Sequence, residues 1–110
     1  MAQALLAQLQ SGEAQFSDVI AHIDAHFNHI PTAFKNGLQT NAATENQGSA
    51  KVFSFAQING LNPADTLALF AEHYASVLNT PEGSDHQNIR QFMLNGWNGI
   101  QFDGNALSAK

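Results

Sequence analysis

Apolar residues recur at helical spacing along the first third of the chain. In AQALLAQL, Leu5, Leu6 and Leu9 share one face, which predicts a short amphipathic helix ending near Ser11-Gly12. Ser17 then stands as a cap for a second helix, with Phe16 just outside it. At ~100° per residue, Val19, Ile20, Ile23, Phe27 and Ile30 fall in one apolar arc. Pro31 disfavours helical geometry in the residue before it, so this helix must stop by Ile30.

The pattern then changes. Asn36-Gly37, between Thr32–Lys35 and Leu38–Asn41, is the preferred signature of a two-residue hairpin turn. QTNAATENQGS is polar, nearly uncharged and aperiodic, and reads as a long loop. From Ser49, SAKVFSFAQING is apolar on most faces, as befits a central helix, and Asn59-Gly60 ends it. Asn62-Pro63 opens the longest predicted helix, with Asp65 near its positive end and Leu67, Phe70, Ala71, Tyr74, Val77 and Leu78 as its buried stripe.

Pro81 and Gly83 mark a turn, and Ser84 and Gln87 have capping-box spacing. Ile89, Phe92 and Met93 are the predicted inner face of a last helix closed by Asn95-Gly96. Ile100 and Phe102 alternate, and Asp103-Gly104 predicts a turn returning the chain at Asn105–Leu107. Trp97, between Gly96 and Gly99, either fills the gap beside this hairpin or anchors a partner; packing is the preferred reading. The expected fold is α+β and mainly helical, about five helices around a small antiparallel β-hairpin sheet. No repeat or linker divides residues 1–110, so one domain is expected.

Composition narrows the function classes. At 110 residues the chain buries roughly two-thirds of the surface its unfolded form exposes, enough for one core. Cysteine is absent, which excludes disulfides and thiol chemistry. Four basic residues against nine acidic ones leave a net charge of −5, a poor match for phosphate backbones or anionic membranes. No apolar run spans a bilayer, and MAQALLAQLQ lacks the cationic start and apolar core of a secretory signal. Charged residues are scarce and neutral amides abundant. Asn36, Asn59, Asn95, Asn98 and Asn105 sit beside predicted turns, where asparagine tolerates left-handed backbone and caps helices.

Three constellations remain as candidate chemistry. Asp18, His22, His26 and His29 lie on the second helix, where steps of four, four and three keep them on one stripe. Two histidines a turn apart, with Asp18 as an oxygen donor, have metal-ligand spacing; without a second ligand-bearing segment, the solvated flank of an amphipathic helix is the preferred reading. The second is Asp85, His86, Gln87, Asn88, Ile89 and Arg90. Asp85 complements a helix dipole, His86 has the chemistry of a general base, and Arg90 could pair with a carboxylate or clamp an anion. No nucleophile motif accompanies them, so capping and an internal ion pair are preferred. The third is the loop carrying Asn41, Glu45, Asn46 and Ser49 before Lys51, either a turn or a binding edge whose backbone donors hold an acid.

PTAFKNG and ENQGSAKVFSFA, followed by TPEGSDHQNIRQFMLNGWNGIQF, resemble the HopJ type III effector family. The resemblance runs from the second helix to the terminal ALSAK. It implies a bacterial protein of the kind that plant pathogens inject into host cells, and carries over no catalytic residue. The expected function is therefore non-enzymatic binding of a protein partner, a host protein if the chain is exported, or of a small ligand. No cofactor, nucleic acid or membrane insertion is expected. The expected location is the cytoplasm of the producing bacterium, or a host cell after type III secretion. The expected binding patch joins Asn41, Glu45 and Asn46 to Asp85, His86, Asn88 and Arg90. Alternatives are a small hydrolase with His86 as base, Glu45 or Asp85 orienting it and Arg90 holding an anion, or metal binding through His22, His26 and Asp18.

Overall fold

The twelve-residue helix α3 (Gln47–Ile58) is the axis of the molecule: Ala50, Val52, Phe53, Ser54, Phe55 and Ala56 are all buried. A helix apolar on most faces has to be enclosed by other elements, as the sequence predicts for this segment. The structure, a computed structural model, describes residues 2–110. It is α+β and mainly helical, with six α-helices among the described residues. The others are α1 (Ala2–Gln10), α2 (Phe16–His26), α4 (Pro63–Ala68), α5 (Glu72–Asn79) and α6 (Gln87–Asn95).

The strands are short and fall in two antiparallel sheets. β1 (Phe27–His29) pairs with β5 (Leu107–Ala109). β2 (Phe34–Asn36) lies between β3 (Gln39–Asn41) and β4 (Ile100–Phe102). Phe53 holds the centre of the core. Its ring lies 5.3 Å from that of Phe70 and 5.0 Å from that of Phe92, and Phe34 and Trp97 meet it edge-on. Trp97 packs inward as preferred, with its indole Nε1 donating to the Leu61 carbonyl at 3.0 Å.

Several local expectations are corrected, some by capping contacts a few residues apart and others by pairing between distant parts of the chain. Gln15, not Ser17, precedes α2, where the Asp18 carboxylate accepts its backbone N–H at 2.8 Å. Helix α2 ends at His26 because Phe27–His29 pairs with the C-terminal strand; strand alternation keeps Phe27 buried and leaves Ile30 55% exposed. His29 therefore leaves the helical stripe and bonds Gln47 Oε1 instead.

The first hairpin is shifted by one residue. Asn36 pairs with Gln39, so the two-residue loop is Gly37-Leu38 and Asn36 belongs to the strand. Gly37, at φ +59, supplies the positive φ that such a tight loop requires at its first position. A single-residue shift reverses the faces of a strand, and here it buries the Asn36 side chain. The long loop also contracts, because Gln39–Asn41 is strand and α3 begins at Gln47 rather than Ser49.

The longest predicted helix is broken. Asn62 caps α4 as expected, its Oδ1 accepting from Asp65 N–H at 2.8 Å. At Ala71 (φ +52, ψ −123) the chain turns before resuming as α5, which buries Leu69 and Phe70 and exposes Leu78. At the start of α6 no capping box forms: Gln87 Nε2 donates to the Ser84 carbonyl where its Oε1 would have accepted from the Ser84 N–H, and His86 is the cap residue. Met93 is exposed, and the predicted terminal hairpin does not form: β4 joins β2, whereas β5 crosses to β1.

Candidate functional site

Four asparagine side chains link the first hairpin to the last helix. Asn36 Nδ2 donates to the Asn88 carbonyl at 2.7 Å and to Asn88 Oδ1 at 3.1 Å. Asn41 Nδ2 donates to Asn88 Oδ1, and Asn88 Nδ2 donates back to Asn41 Oδ1. Asn46 Nδ2 adds a 2.7 Å bond to Asn41 Oδ1. Asn36, Asn41 and Asn88 are buried, where an unpaired amide would be costly and a paired one specifies position. The expected convergence of Asn41, Asn46 and Asn88 thus occurs, with Asn36 as an unforeseen member.

Beside this network lies a cleft of about 430 Å³. The first turns of α3 and α6 open onto it through Gly48, Ser49, Asn88 and Ile89, and His73 of α5 and His86 form part of its wall. The two imidazole centroids are 5.0 Å apart. Phe16, at the start of α2, meets the His73 ring edge-on at 4.7 Å and stacks on Phe70 at 6.0 Å, giving the cleft an aromatic side. Glu72 holds Phe16 there by accepting its backbone N–H at 2.7 Å. Asn46 and His86, the cap residues of α3 and α6, both have left-handed backbone, at φ +52 and +51, and neither makes a side-chain cap.

The other expected site residues are placed differently. Arg90, with a side chain only 11% exposed, folds back over the turn before α6. It donates to the Thr80 carbonyl at 2.8 Å, to Thr80 Oγ1 at 3.1 Å, to the Asp85 carbonyl at 2.6 Å and to Asp85 Oδ1 at 2.7 Å. The guanidinium hydrogen bond and charge hold the Asp85 carboxyl below its ordinary value. Glu45 Oε1 accepts from Ala42 N–H at 3.0 Å. Neither Arg90 nor Glu45 lines the cleft with His86. Asp85 Oδ2 lies 4.0 Å from His86 Nε2.

On α2, the His22 and His26 rings lie 4.5 Å apart, and His26 Nδ1 donates to the His22 carbonyl at 2.8 Å. His22 Nε2 is buried without a partner, and burial, then the charge of His26, lowers the His22 pKa below its ordinary value. Asp18 is engaged at Gln15, and no group of three metal-binding side chains occurs among the described residues. His73 carries no motif signal; it reaches the cleft only because the chain breaks at Ala71.

The family model described as HopJ type III effector protein matches residues 2–107. A crystal structure of VPA0580, a protein of unknown function, is 44% identical in sequence, with a TM-score of 0.91 over 100% of this chain and 94% of that one. No curated protein matches. No helix among the described residues is long and apolar enough to cross a membrane.

Proposed function

The chain belongs to the HopJ type III effector family, and on that premise we propose that it is a non-enzymatic binding module whose ligand occupies the cleft between α3, α5 and α6. The observation that carries this is the junction itself. Helix α3 meets the later pair α5 and α6 around a concavity of about 430 Å³, and a buried amide network fixes one of its walls. Pockets of this size, with apolar surface and a few fixed polar groups, suit small molecules. We further propose, from the family's description as type III effector protein, secretion by a type III system and a place of action in a host cell.

A protein partner is the second reading, favoured by a different surface. Met93 and Leu94, 43% and 77% exposed, border a groove shared with Val77 and Pro81. Exposed apolar side chains grouped in this way are a feature of protein contact surfaces.

A small-fragment screen followed by two-dimensional amide NMR tests the proposal. Fragments are expected to shift the amides of Gly48, Ser49, Asn88 and Ile89. Shifts confined to Val77, Met93 and Leu94 would overturn the cleft in favour of the groove.

A further inference from the structure

Resting on that reading of the cleft, we infer that its ligand is a small organic anion, a carboxylate or phosphate carried on an apolar or aromatic body. The wall chemistry comes first. The chain has nine acidic residues and four basic ones, yet no Asp or Glu is among the residues lining the cleft. The neighbouring carboxylates are occupied elsewhere: Asp85 by Arg90, Glu72 by the Phe16 amide and Glu45 by the Ala42 amide. The wall thus presents no carboxylate to an entering anion, and the one beside His86, Asp85 at 4.0 Å, is offset by Arg90.

Donors converge from separate elements. His73 comes from α5 and His86 from the cap of α6, and an imidazole offers an N–H in either protonation state. Ser49 adds a hydroxyl within the cleft wall. The first turns of α3 and α6, twelve and nine residues long, present their positive ends to the same space. α2 and α4 differ: Asp18 covers the start of one and Asn62 caps the other.

The ligand's body is inferred from the remaining wall. Phe16, Phe70 and Ile89 give the cleft an apolar side, which inorganic phosphate alone would leave uncovered. A divalent cation fits less well, since two imidazoles need a third ligand and no group of three occurs among the described residues.

The full chain is titrated with benzoate, phenyl phosphate, inorganic phosphate and neutral benzyl alcohol, and followed by amide NMR. Benzoate or phenyl phosphate is expected to shift Gly48, Ser49, Asn88 and Ile89 with Kd at least about tenfold below that of benzyl alcohol, the gain typical of charge-assisted hydrogen bonds. Inorganic phosphate is expected to bind more weakly than phenyl phosphate. His86→Asn, whose new residue tolerates the left-handed backbone, and His73→Gln should each weaken binding about tenfold. Benzyl alcohol binding as tightly as the anions would sink the anion inference and leave the cleft standing. Equal binding of both phosphates would remove the apolar body. Unchanged affinity in both histidine variants would also overturn the inference. If no compound, charged or neutral, shifts these amides, both the inference and the cleft reading fall.

Discussion

Asn41 and Asn88, 47 residues apart, exchange side-chain hydrogen bonds in both directions, at 3.2 and 3.0 Å. This reciprocal pair fastens the end of β3 to the first turn of α6, and through Asn46 to the start of α3. It positions two of the cleft's walls relative to each other.

Truncation of Asn88 should therefore be costly. Asn88→Ala leaves Asn36 and Asn41 Nδ2 without their Asn88 side-chain acceptor and takes one of its donors from Asn41 Oδ1, which keeps the bond from Asn46. We expect a loss of about 2–3 kcal/mol, a fall in Tm of roughly 10 °C. Asn41→Ala combined with Asn88→Ala should cost less than the sum of the two single changes, because both remove the same bonds. Additive losses in denaturant titrations would show that the pair is not coupled.

Stability should decline as the solution becomes mildly acidic. His22 has a folded pKa below its ordinary value, so the unfolded chain binds the proton first as pH falls from about 6.5. Stability then falls with pH until the folded form is protonated as well. His22→Phe should flatten this part of the profile, since it removes the titrating ring and its buried, unpartnered Nε2 while keeping an aromatic ring against Phe55. Thermal melts at pH values on both sides of this window, compared between wild type and variant, check it. Equal slopes would assign the decline to another group.

Ala71 holds a backbone conformation, φ +52 and ψ −123, that a Cβ disfavours. Ala71→Gly should stabilise the chain by about 1 kcal/mol, because relief of roughly 1–3 kcal/mol of local strain exceeds the added entropy of glycine in the unfolded state. The expected Tm rise is several degrees. A lower Tm would mean that the surrounding contacts, not the conformation, set the stability of this turn.

Much of the architecture was legible in the order of residues alone. Leu5, Leu6 and Leu9, the Val19–Ile23 arc and the apolar run from Val52 to Ala56 declared three helices and their buried faces. Asn59-Gly60, Asn62-Pro63 and Asn95-Gly96 marked helix ends, and of the expected patch of Asn41, Glu45, Asn46, Asp85, His86, Asn88 and Arg90 the structure joins Asn41, Asn46 and Asn88 by hydrogen bonds. Periodicity, capping and turn chemistry act over three or four residues, so they are written locally.

The tertiary structure decided what distant segments do to one another. Phe27 became a strand residue because Ala109 is its partner, and Asn36 moved from the turn into the buried network because Asn88 lies 52 residues away. The break at Ala71 brought His73 opposite His86, and Arg90 was turned away from the cleft by Thr80 and Asp85. Strand pairing and cleft walls depend on which backbone donors and side-chain volumes meet in space. That choice is made when the whole core closes, and no local spacing records it.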